Sequence, residues 1–111
     1  SVSGGENNNA SGSRSSVLGG ENNNASEAYS SISGGSGNIA SGIKSSVLGG
    51  NSNTALGEWS SVSGGENNNA SGSRSSVLGG NNLNASVQTS CVTGTAGNTF
   101  LGNTTEGNTI D

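Results

Sequence analysis

The chain has 111 residues, 26% of them hydrophobic and 9% charged, with a single Trp, Tyr and Phe and a net charge of −4. Those proportions exclude a conventional globular core, because ordering a backbone of this length costs on the order of 100 kcal/mol and each fully buried aliphatic side chain contributes only about 1.5–3 kcal/mol. Three basic residues in all leave too little cationic surface for nucleic acid or an anionic membrane.

So few aliphatic residues usually signal disorder, but disordered chains are charged and Pro-rich, whereas this one has no Pro and a strict internal period. Residues 1–20, SVSGGENNNASGSRSSVLGG, recur letter for letter at residues 61–80. Set in rows of fifteen, the chain first shows a β-branched column of Val2, Val17, Ile32, Val47, Val62, Val77 and Val92. Two positions on stands an invariant Gly, from Gly4 to Gly94, followed in the first six rows by a second Gly. Asn8, Asn23, Asn38, Asn53, Asn68 and Asn98 form the next column, interrupted by Leu83. Ala10, Ala25, Ala40, Ala55, Ala70 and Ala85 follow, and Gly12, Gly42, Gly57, Gly72 and Gly102 mark a further corner from which Glu27 and Val87 depart.

This pattern predicts an all-β fold, a parallel β-solenoid or β-roll of about seven 15-residue coils. Ser-Val-x forms a short extended segment with the β-branched residue inward, Gly-Gly turns a corner at positive φ, and Ala fills the narrow opposite wall. The Val and Ile column is therefore the predicted core. The Asn column is structural, hydrogen-bonding up the stack or capping a left-handed turn. Coils stacked about 4.8 Å apart give a rod of roughly 33 Å. Helices are excluded by the density of Gly and β-branched residues.

A slower period of thirty lies on top. The residue after the core aliphatic alternates as Ser3, Leu18, Ser33, Leu48, Ser63, Leu78. Strand alternation turns this side chain outward, so Leu18, Leu48 and Leu78 form a candidate subunit interface. Sixty residues are four coils, or two of these longer units, which is why residues 1 and 61 can carry the same letters. From about residue 97 the register breaks, as GNT recurs at 97–99, 102–104 and 107–109. The organisation expected is β-roll repeats over 1–96 and a terminal coil or transition segment over 97–111. The lack of an initiator Met predicts a piece of a longer chain.

One column is chemically conspicuous: Arg14, Tyr29, Lys44, Trp59, Arg74, then Thr89. Cations and aromatics alternate coil by coil, which suits either a self-satisfied cation–π ladder or an exposed binding stripe. Glu6 and Glu21 stack one coil apart, close to the spacing of a carboxylate pair in a retaining glycosidase, but their repetition at Glu66 reads as a solvated corner. With no His anywhere, Ser and Cys91 lack the usual base for nucleophilic catalysis. No catalytic residue, cofactor or metal site is expected, and an enzyme ranks last among the functions considered. No apolar run is long enough for direct membrane insertion by this segment.

The rows SVSGGENNNASGSRS, SVLGGENNNASEAYS and SVLGGNSNTALGEWS resemble the head repeats of trimeric autotransporter adhesins, the YadA-like family; similar repeats occur in phage tail-fibre-like proteins. The resemblance spans about residues 1–96. It implies a left-handed roll, a homotrimer, and display on the bacterial outer surface, where such a head adheres to an extracellular matrix protein, a glycan or other cells. Trimerisation also suits the thin core and the Leu row. Two other functions fit the residues less closely. A structural fibre, cellular or virion-borne, would form by stacking of solenoid ends. An ice-binding solenoid would use ladders of small hydroxyl residues, but Ser stands where paired Thr ranks are expected.

Overall fold

The computed structural model describes residues 1–94 and the backbone of the strand Thr99–Phe100; the rest of the 97–111 segment, with Asn98 and Gly102, lies outside the described residues. Residues 1–90 make six complete coils of fifteen, against an expectation of about seven for the whole chain. Each coil contributes two strands of two residues. One wall is β1 (Asn9–Ala10), β3 (Asn24–Ala25), β5 (Ile39–Ala40), β7 (Thr54–Ala55), β9 (Asn69–Ala70), β11 (Asn84–Ala85) and β13 (Thr99–Phe100), hydrogen-bonded in that order. The facing wall is β2 (Ser16–Val17), β4 (Ser31–Ile32), β6 (Ser46–Val47), β8 (Ser61–Val62), β10 (Ser76–Val77) and β12 (Cys91–Val92).

All pairings are parallel and offset by one coil, as in Ala25↔Ala40 and Val47↔Val62. A third line of isolated parallel bridges runs Glu6↔Glu21↔Ser36↔Asn51↔Glu66↔Asn81. Every strand is therefore short in sequence, and it is the sheets that are long in the stacking direction. A period of fifteen, rather than any local strand propensity, sets the register.

Alternation within the strands decides the core. Val17, Ile32, Val47, Val62, Val77 and Val92 point inward from one wall, and Ala25, Ala40, Ala55, Ala70 and Ala85 from the other, all fully buried. Val2 departs from its expected core place. It is 46% exposed, because it belongs to the first coil and only Val17 covers it along the stack. Leu83 completes the apolar cluster.

The rest of the interior is polar. Asn23, Asn38, Asn53 and Asn68 are buried, and each amide spans two coils. The N–H of Asn53 donates to Oδ1 of Asn38, and the N–H of Asn68 to Oδ1 of Asn53, at 2.9 and 3.0 Å. Nδ2 of Asn53 donates to the Gly49 carbonyl of its own coil and the Gly65 carbonyl of the next, both at 2.9 Å. Side-chain amides thus bond backbone up the stack and satisfy the buried Asn column from within the protein, whereas the buried Ser60 Oγ finds no partner. At Leu83 the ladder stops: its N–H still donates to Asn68 Oδ1, but it has no amide to pass on. Gly80, beside it, sits at φ 135° where Gly20 to Gly65 hold 89–90°.

A second buried polar column, Ser15, Ser30, Ser45, Ser60, Ser75 and Ser90, lines the turn between the walls. Oγ of Ser15, Ser30, Ser75 and Ser90 donates to the carbonyl three residues earlier, at 2.6–2.7 Å. Of each Gly-Gly pair the second, not the first, takes positive φ through the first six coils. A Cβ at Gly50 would lie 2.2 Å from the Gly65 carbonyl oxygen, whereas one at Gly49 meets nothing. The Gly12 column has ordinary φ but runs so close to the next coil that a Cβ at Gly57 would lie 2.1 Å from the Gly72 oxygen.

Candidate functional site

Two turns close each coil, one at each end of the flat cross-section. The longer turn carries the exposed Glu6, Glu21 and Glu66 on its bridge line. The shorter turn, between the Ala strand and the next Val strand, carries Arg14, Tyr29, Lys44, Trp59, Arg74 and Thr89 at one position in six successive coils. The chain's three cations thus share one edge, and three of its carboxylates occupy the other.

The short-turn side chains form a continuous ladder. Arg14 stands 5.3 Å from the centroid of the Tyr29 ring, and Lys44 stands 5.9 Å from the same ring. Lys44 is also 5.2 Å from the Trp59 ring, whose other neighbour, Arg74, lies at 4.6 Å. Nη1 of Arg14 in addition donates a hydrogen bond to the Tyr29 hydroxyl. Each aromatic is flanked by a cation in the coil before and the coil after. Tyr29 and Trp59 keep 47% and 42% of their surface exposed, yet this arrangement leaves little ring face for a sugar to stack on. Whatever approaches this edge meets ring rims, cationic groups, the carboxylates of Glu27 and Glu58 and the exposed Ile43.

The backbone beneath the ladder is left-handed. All six residues hold φ between 58° and 61°, including β-branched Thr89. The other left-handed column, on the longer turn, is filled by Asn7, Asn22, Gly37, Ser52, Asn67 and Asn82, mostly residue types that tolerate this region. The ladder column contains no Gly, Asn or Asp. Left-handed geometry costs an ordinary L-residue roughly 1–2 kcal/mol at each of the six positions, whereas the four exposed cation–π contacts among them return only about 0.5–1 kcal/mol each. The ladder does not recover its own strain, so stability alone does not account for these side chains.

The other predicted surface is equally regular. Leu18, Leu48 and Leu78 are 59%, 59% and 55% exposed, alternating along the Val wall with exposed Ser33 and Ser63. They lie on the outer face of that wall, away from the ladder edge. On the outer face of the Ala wall, Ile39 and Leu56 stand where other coils carry Asn or Thr and Ser, exposed in two adjoining coils; sequence reading did not single them out. Their signal was two apolar departures from polar columns. Cys91 is half-buried and unpaired at the head of β12. Among the described residues, no three His, Cys, Asp or Glu side chains gather as a metal site, and no helix is long and apolar enough to cross a membrane.

Fold and surface together define a repeat protein of the β-solenoid class, with 15-residue coils. No protein-family model matches the chain, and no curated protein matches it.

Proposed function

We propose that the chain is an adhesive head segment, three copies of which pack side by side through their Leu rows as a rigid rod on a bacterial outer surface. The observation that carries this reading is the row Leu18, Leu48, Leu78, apolar side chains more than half exposed at every second coil of a wall otherwise lined by Ser. Large apolar side chains aligned along a stiff face are the mark of a subunit contact, and a core of Val and Ala with one Leu and one Ile gains from being covered. The likeness of the repeats to trimeric adhesin heads supports the same assignment. With its contacts spread along a rod, the segment acts by presenting identical side chains at regular height rather than by enclosing a substrate.

Sedimentation equilibrium tests it. The expected mass is three times the 10.6 kDa of the monomer. Replacing Leu18, Leu48 and Leu78 together by Ser leaves the fold and yields monomers. A folded wild-type monomer overturns the proposal. Growth into filaments, seen by electron microscopy, overturns it in favour of a structural fibre.

A further inference from the structure

The ladder edge carries a regular row of cations with carboxylates between them. Arg14, Lys44 and Arg74 stand in the first, third and fifth coils. Glu27, two residues before Tyr29, and Glu58, one before Trp59, are exposed on the same turn in the second and fourth coils. Positive and negative charge therefore alternate coil by coil along one edge. The cations, which share one column, recur every second coil, about 9.6 Å apart from a coil height of about 4.8 Å.

A ligand that follows this edge must be extended and anionic at every second step only. We propose that it is an acidic polysaccharide in which charged and neutral sugars alternate, one acidic sugar on each of Arg14, Lys44 and Arg74. An extended pyranose chain advances by about one coil height per sugar, so a disaccharide repeat matches the cation spacing. The neutral sugar of each repeat then passes Glu27 or Glu58, which would repel a carboxylate or sulfate. Polymers charged at every unit are rejected by those two residues. Nucleic acid is rejected for the same reason, since every unit of each strand carries a phosphate, one per about 3.4 Å of helix axis.

The flanking aromatics position the cations. Lys44 stands between the rings of Tyr29 and Trp59, Arg14 is fixed by the Tyr29 ring and hydroxyl, and Arg74 packs on Trp59. Held in this way, a guanidinium still presents donors at its rim for bidentate pairing with a carboxylate or sulfate. The strained backbone described above sets all of them at one azimuth. The inference rests on the adhesive reading and names its ligand, and the edge it uses is clear of the Leu row.

Trp59 is the chain's single Trp and lies within the ladder, so its fluorescence reports binding directly. The full chain is titrated with hyaluronan oligosaccharides spanning five coils, with polygalacturonate oligosaccharides charged at every sugar, and with neutral dextran. The expected result is saturable binding of hyaluronan at least tenfold tighter than of the other two, weakening as salt is raised. R14Q/K44Q/R74Q lowers hyaluronan affinity more than tenfold. E27Q/E58Q, which leaves every cation in place, raises polygalacturonate affinity at least fivefold. Equal affinity for the two acidic polymers, or no hyaluronan response, overturns the proposal whatever the oligomeric state. Discriminating binding by a chain that sediments as a monomer sustains it and removes only the trimer.

Discussion

Replacing Asn53 tests how the solenoid is held together. Its side chain is fully buried, and it bonds three backbone groups: the Asn68 N–H at 3.0 Å and the Gly49 and Gly65 carbonyls at 2.9 Å. Asn53→Ala strands the Asn68 N–H inside the solenoid, which costs about 1–3 kcal/mol, and removes two further hydrogen bonds worth about 1 kcal/mol each. The Gly65 carbonyl keeps a second donor, the Asn51 N–H at 3.0 Å, so its loss is partial. With the small cavity added, the expected destabilisation is about 3–5 kcal/mol. Asn53→Leu reproduces what the chain carries at Leu83; it loses the same bonds but fills the volume, and falls about 1 kcal/mol below the Ala variant. Asn53→Asp keeps the acceptor and turns an oxygen on two carbonyls, so it is the most damaging of the three. Urea unfolding followed by Trp59 fluorescence at fixed protein concentration gives the ranking Asp, Ala, Leu. Hydrogen exchange at the Asn68 amide locates the loss, since protection there falls first. An Ala variant within about 1 kcal/mol of wild type, or an Asp variant milder than Ala, would refute the internal amide ladder as the main tie between coils.

The glycine pair at the long turn separates conformational need from proximity: Gly50→Ala costs at least about 3 kcal/mol, because positive φ and a Cβ 2.2 Å from the Gly65 oxygen act together, whereas Gly49→Ala stays within about 0.5 kcal/mol. Thermal unfolding of both variants checks this, and equal effects would contradict it. Thr89 holds a left-handed φ of 61° and has no cation–π partner, so Thr89→Asn raises stability by about 0.5–1 kcal/mol; a lower melting temperature would refute the strain at this column. Trp59→Gly relieves the same strain but gives up its two contacts, with Lys44 and Arg74, and the two effects nearly cancel, leaving stability within about 1 kcal/mol of wild type by urea unfolding followed by circular dichroism.

Much of this architecture is legible because the period carries it. Val17, Val47 and Val77 recur at one position with a small inward partner in Ala25, Ala55 and Ala85, and the coils stack as that spacing predicts. Less legible is what fills the interior beside them. Asn and Ser read as surface residues by their chemistry, and only stacking places Asn38 or Ser45 where the next coil shuts out water. The Asn column reads as structural, bonding up the stack or capping a left-handed turn; the structure shows the first, each side chain bonding backbone of the next coil, while the left-handed residue is the one before it, at Asn7 and Asn22. The Ser column from Ser15 to Ser90 had an available signal, its lack of any exception in six rows. Which glycine of each pair needs positive φ has no sequence signal, since both letters are the same.

The ladder shows where pattern stops and geometry must take over. Its alternation of cation and aromatic is plain in the sequence, and it fits a self-contained stack as well as an exposed stripe. Coordinates add two facts of opposite tendency. The cations occupy both sides of each ring, which favours a stack and removes face-on sugar binding. The backbone is left-handed at every rung, which makes the stack a poor source of stability. On the longer turn the same conformation is met with Asn, Gly and Ser, so this solenoid has an easier way to build a left-handed corner and uses it elsewhere. Bulky side chains kept on strained backbone, with carboxylates interleaved at alternate levels, place the use of this edge in its outward-facing charges. A ligand that binds there does so by matching their spacing.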